Sequence, residues 1–232
     1  MRPALRPAIT ILAAAASGFD LAVQAPAQDH PPIPDFQSKN VSWTAINSDF
    51  TPVPGSPSPV TYDRAHPFFR NDQARDQNVQ ATYRVPDPNN PNLQPWVQEA
   101  LRKQRDKVLS GEIGQTPRWS CKPGGVPAFS LFVVEPVYIV QGPKKVLLIY
   151  QGNQEVRHIY LNQKHTPNPT PSWYGESIGW YEGDELVVDT IGISTKAVID
   201  NYQTPHTDKL HVVERYRVVE DGKALEVNLT ID

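Results

Sequence analysis

The sequence predicts a mainly β protein, an antiparallel β-barrel or strongly curved sheet that carries one amphipathic helix and follows a proline-rich N-terminal arm. Three observations lead there. Beyond Cys121, apolar runs rich in β-branched and aromatic residues recur, broken by turn chemistry at Gly142-Pro143, Gly152-Asn153, Glu182-Gly183-Asp184 and Asp221-Gly222. Several of these runs are separated by only a few residues, which forces antiparallel neighbours because a parallel pair needs a longer crossover. The last run alternates, with Leu225, Val227, Leu229 and Ile231 on one face and Glu226, Asn228 and Thr230 on the other, as a half-buried strand does.

The strands expected are Phe129 to Gln141, Lys145 to Tyr150, Glu155 to Leu161, Ser177 to Tyr181, Asp184 to Ile191, Lys209 to Val219 and Lys223 to Ile231. The stretch from Ser172 to Ile193 is the centre of the pattern, two strands joined by a tight turn at Glu182-Gly183-Asp184. One helix is expected from Pro95 to Ser110. Proline suits its first position, Gly111 suits its stop, and Trp96, Val97, Ala100, Leu101, Val108 and Leu109 recur at helical spacing. That stripe is expected to pack on the sheet, leaving Gln98, Arg102, Arg105 and Asp106 outside.

Upstream, the chain changes character. Half of its 24 prolines fall between Pro31 and Pro95, so residues 28–94 read as an extended arm and residues 95–232 as the β domain. The arm also carries Phe36, Trp43, Phe50, Tyr62, Phe68, Phe69 and Tyr83, and so many rings imply docking on the domain. Residues 1–27 have the form of a signal peptide: Arg2 and Arg6, an apolar stretch from Ala8 to Ala16, then small residues. That stretch is too short to span a bilayer. A periplasmic or secreted protein is expected, with no stable membrane insertion once the signal is removed. Cys121 is the single cysteine, so no intramolecular disulfide can form. A net charge of -3 without a basic stripe gives no reason to expect nucleic acid.

Candidate chemistry follows from facing. In Lys209 to Val219 the even positions Leu210, Val212, Tyr216 and Val218 form the apolar face, and Glu214 lies among them. A buried, unpaired carboxylate is costly. Arg157, which shares a face with Ile159 and Leu161, is its expected bidentate partner. His206, in the loop entering that strand, is expected at the mouth of a cavity, where it could exchange protons near neutral pH. Asp189 is a further candidate beside Val187 and Ile191. An architectural ion pair and an acid-base site are both compatible with these residues. Trp173, Tyr174, Trp180 and Tyr216 are the candidate ligand-binding rings.

Other motifs carry less. Gly175-x-Ser177-x-Gly179 spells a nucleophile elbow, but that turn needs a helix after the serine, and a strand follows here. His206, Asp208, His211 and Glu214 have metal-ligand chemistry, yet on a strand His211 and Glu214 point to opposite faces. No metal and no cofactor are expected.

The string from Trp173 to Gly192, WYGESIGWYEGDELVVDTIG, resembles a family of secreted, largely uncharacterised bacterial proteins. Arg157 to Leu161, Pro169 to Trp173, Thr204-Pro205-His206-Thr207 and Val213-Glu214-Arg215 are similar to the same family. The resemblance spans roughly residues 94–232. It implies a calycin-like barrel, no established chemistry, and a further strand beyond Asp232. Three functions follow as expectations: an exported carrier or sensor holding an apolar or aromatic small molecule in the barrel cavity, a metal-independent lyase, isomerase or hydrolase, and a structural envelope protein.

Overall fold

A computed structural model describes residues 33–37, 42–45, 48–79, 82–112, 121–131, 136–152 and 154–232. The signal-peptide reading of residues 1–27 lies outside them. Seven strands form one curled sheet, a half-barrel: β1 (Val137–Gln141), β2 (Lys145–Tyr150), β3 (Glu155–Leu161), β4 (Glu176–Glu182), β5 (Glu185–Ile191), β6 (Val212–Val219) and β7 (Ala224–Ile231). Each strand lies beside its sequence neighbours, so the order in the sheet is the order in the chain.

The hairpins follow their turns. Between β4 and β5 only Gly183 and Asp184 intervene, Glu182 faces Glu185, and Gly183 takes a positive φ of 61° that a side chain would oppose. One junction is parallel. β3 and β4 pair only through Ile159–Leu161 against Ser177–Gly179, and the chain crosses over through residues 162–175 to reach that register. The sheet is therefore mixed, where the short gaps elsewhere predict an antiparallel one.

Alternation sorts side chains between the two faces. Ile139, Leu148, Ile159, Leu186, Val188 and Tyr216 pack together on the concave side with Phe129 and, from the arm, Phe36. A second cluster joins Val126, Ile193, Ala197, Leu210 and Val212, against which Trp173, Leu229 and Ile231 lean. The glycines of the Gly175-x-Ser177-x-Gly179 string serve packing. A Cβ on Gly179 would stand 2.8 Å from Ile159 Cγ2, and one on Gly175, which has φ +60°, would collide with the Ile191 carbonyl.

Two strands start well after their expected positions, and one helix is added. Ala128–Leu131 form a 3-10 turn, so the first strand begins at Val137 rather than Phe129. The Glu214 strand begins at Val212, because Lys209 lies in the turn that ends the preceding loop. A short helix, α1 (Asn71–Asp76), interrupts the arm. The longer helix, α2 (Pro95–Leu109), is where proline and apolar spacing place it. Its buried residues Val97 and Leu101 meet Val60 of the arm and Tyr202 of the β5–β6 connection, not the sheet, and Trp96 and Leu109 are exposed.

The arm docks by two rings. Trp43 extends the edge of β1, its N–H and carbonyl pairing with Val137 at 2.9 and 2.8 Å. Phe36 is fully buried beside Tyr181, and Gln141 clamps its segment by accepting from the Phe36 N–H and donating to the Pro34 carbonyl, both at 2.8 Å.

Candidate functional site

Arg157 of β3 and Glu214 of β6 meet on the concave face, each 1 % exposed. Arg157 Nη1 donates to Glu214 Oε1 at 3.0 Å, and Nη2 donates to Oε2. The guanidinium also donates to Ser177 Oγ at 3.2 Å and Thr190 Oγ1 at 2.9 Å, while the Tyr216 hydroxyl donates to Glu214 Oε1 at 2.9 Å. Burial acts to lower the Arg157 pKa, but the facing carboxylate outweighs it and the group stays a cation. Burial also lifts the Tyr216 phenol well above its usual range, with the Glu214 charge adding to the effect. Every polar atom here has a partner from β3, β4, β5 or β6. The cluster cross-links four strands, and its charged groups are buried and already bonded to one another.

Asp189 is not part of it. The residue sits among the β5 positions of the opposite, convex face, as Val187 and Ile191 do, while Val188 and Thr190 face Arg157 and Glu214. On that outer side a different chain of groups forms. His165, in the crossover, places Nδ1 3.0 Å from Glu176 Oε1 and Nε2 3.2 Å from Asp189 Oδ1. His211, one residue before β6, places Nε2 2.8 Å from the same Asp189 oxygen. Thr166 donates to Glu176 through its N–H at 2.7 Å and its hydroxyl at 3.0 Å. Burial would raise the Glu176 pKa, but the Thr166 N–H, His165 and the Thr166 hydroxyl together hold it below the usual glutamate range.

Beside this chain the sheet opens. Because β3 and β4 pair over so short a span, Val156 and His158 separate from Tyr174 and Gly175, leaving a groove of about 590 Å³. Tyr160, His158 and Tyr174 line it together with Thr166, Asn168 and Thr170 of the crossover, and Ser177 lies at its base. Ser177 also bonds Arg157, so the groove ends against the buried cluster.

The remaining candidates are dispersed. His206 is 8 % exposed, with Nδ1 2.7 Å from the Thr207 carbonyl, and it bonds neither Arg157 nor Glu214. It is a buried loop residue where a cavity-mouth position is expected from sequence. Trp180 is on the convex face and donates to Glu182 at 2.6 Å, Trp173 leans on the second core cluster, and Tyr216 is inside the concave core. Tyr174 alone of the four expected rings reaches the groove, packed edge-on against Phe129 at 5.7 Å with its hydroxyl bonded to Glu155.

Among the described residues no three His, Cys, Asp or Glu groups converge as metal ligands, and no helix is long and apolar enough to cross a membrane. His165 and Thr166 give no signal in the sequence because no periodicity reaches the crossover, and Glu176, the first residue of β4, lies just outside the strand expected from Ser177. No protein-family model, curated protein or solved structure matches the chain.

Proposed function

We propose that this is an exported protein that binds an apolar or aromatic small molecule, and that the molecule lies in the groove between β3 and the crossover. One observation carries the reading. A cleft of about 590 Å³ falls in the usual size range of small-molecule sites, and it sets the rings of Tyr160, His158 and Tyr174 beside the polar groups of Thr166, Asn168 and Thr170. The rings offer stacking surface, and the polar groups can fix an orientation. A ligand in the barrel interior is less well supported, since Phe36, Phe129, Tyr150 and Tyr216 occupy the concave side. A lyase, isomerase or hydrolase built on Glu214 gains no support from a carboxylate that is 1 % exposed and already bonded. Export rests on the form of residues 1–27 and on the resemblance to secreted proteins.

A panel of aromatic and terpenoid compounds, read by melting temperature and by calorimetry, tests the site. At least one compound is expected to raise the melting temperature, and Tyr160→Ala to weaken its binding about tenfold or more while leaving the unliganded melting temperature unchanged. Binding that ignores Tyr160→Ala, or a panel without any binder, overturns this placement.

A further inference from the structure

We infer that His165 is a proton-operated latch that holds the crossover against the sheet and so sets the shape of the groove; the groove's role as a ligand site rests on the reading above. Both ring nitrogens of His165 face carboxylate oxygens, Nδ1 at 3.0 Å from Glu176 and Nε2 at 3.2 Å from Asp189. A neutral imidazole has one N–H, so one of those contacts would set a nitrogen lone pair against a carboxylate. The arrangement satisfies both contacts only when the ring is the imidazolium, which donates at each nitrogen.

The groups facing the ring come from every element around it. Glu176 opens β4, Asp189 lies in β5, and His211 precedes β6 and donates to, or shares a proton with, the same Asp189 oxygen at 2.8 Å. Lys164 precedes His165 in the crossover and is exposed, and Asp232 pairs with His211 through the backbone. Two carboxylates and two imidazoles therefore share one corner of the convex face. Loss of the His165 proton leaves His211 as the donor to Asp189, and it frees His165 from one carboxylate.

The latch acts where the groove is built. Thr166, the next residue, hangs on the Glu176 carboxylate by its N–H and its hydroxyl, and Thr166, Asn168 and Thr170 form the crossover wall of the groove. With His165 charged, the crossover is tied to β4 and β5 together. With it neutral, one tie is gone and the wall loosens. Gain and loss of that proton thus switch the groove between a fixed and a loose form. A ligand shaped to the fixed form is held at lower pH and released at higher pH.

Hydrogen exchange of the Thr166 amide, corrected for the intrinsic pH dependence of exchange, reads the latch in the full chain without any ligand. Between pH 5.5 and 8.5 its rate is expected to rise about tenfold, the loss of one charge-assisted hydrogen bond. In His165→Gln it should stay at the fast value throughout. A flat wild-type profile, or a profile that survives His165→Gln and disappears in His211→Gln, overturns the assignment. Should the glutamine variant fold poorly, Asp189→Asn gives the same reading, since it removes the negative charge from one of the two acceptors and should flatten the profile. Compounds from the binding panel separate the two claims. Absence of any binder with the expected exchange profile sinks the groove as a ligand site and leaves the latch standing; pH-independent binding with a flat profile sinks the latch alone.

Discussion

Glu214 is a charge set among the apolar residues of the concave face of β6, 1 % exposed. A carboxylate on the apolar face of a strand needs a donor, and the donor it finds, Arg157, is the arginine whose own strand turns an apolar face the same way. Glu214→Gln should cost about 3–5 kcal/mol in chemical denaturation, because it leaves the guanidinium buried without a counter-charge. The double variant Arg157→Met, Glu214→Leu should lose at least about 2 kcal/mol less than the two singles summed. Additive losses would mean that the pair is not a coupled unit. This part of the site was legible because a period of two fixes facing. The same period places Asp189 on one face with Val187 and Ile191, but their apolar character does not mark that face as the inward one. Both faces of β5 are covered at its centre, where Val187 and Val188 are buried alike, so hydrophobicity there carries no facing signal. His165 had no signal at all. It lies in a connection among prolines and threonines, and its partners are set by the crossover's path.

At the scale of elements, the strands were readable and the connections were not. Alternation and turn residues mark β2, β5 and β7 to within a residue or two, whereas the parallel β3–β4 junction depends on where a loop lands. The connection between β5 and β6 shows what such a loop needs. Asp200 accepts from the Tyr202 N–H at 2.9 Å, the Thr204 N–H at 3.2 Å and the Thr204 hydroxyl at 2.7 Å, which holds a turn that the sequence does not announce. Burial lifts its pKa to about 6, despite the lowering effect of those three donors. The folded-state pKa therefore lies above that of the unfolded chain, so the native state binds this proton more tightly. Stability is highest below about pH 4 as far as this group is concerned, and it falls as pH rises to about 6, by about 3 kcal/mol in all. Asp200→Asn keeps an acceptor for both N–H groups and removes the buried charge. It should raise stability at pH 7.5 by about 1–3 kcal/mol and give no gain at pH 4, measured by urea denaturation at the two pH values. Equal effects at both would show that the carboxylate is not ionising against its burial.

For the molecule as a whole, the half-barrel is completed by residues far from it in sequence. The number of rings in the arm predicts docking, and Phe36 and Trp43 dock; Tyr62 and Tyr83, of the same chemistry, remain exposed. Composition could not choose between them, because the choice depends on which ring meets the open side of the sheet. Phe36→Ala should destabilise the domain by about 3–5 kcal/mol, the cost of an unfilled core site. An unchanged denaturation midpoint would show that the sheet closes without the arm. The strand order carries one more consequence. Since strands pair only with their neighbours in the chain, the sheet can assemble in the order of synthesis, by closures far shorter than the reach to the arm. The contact of Phe36 with Gln141 reaches across 105 positions and has no counterpart in that sequence of steps. Assembly thus has two clocks, a fast one that zips the strands from β1 to β7 and a slow one that waits for the earliest-made part of the domain to return to β1.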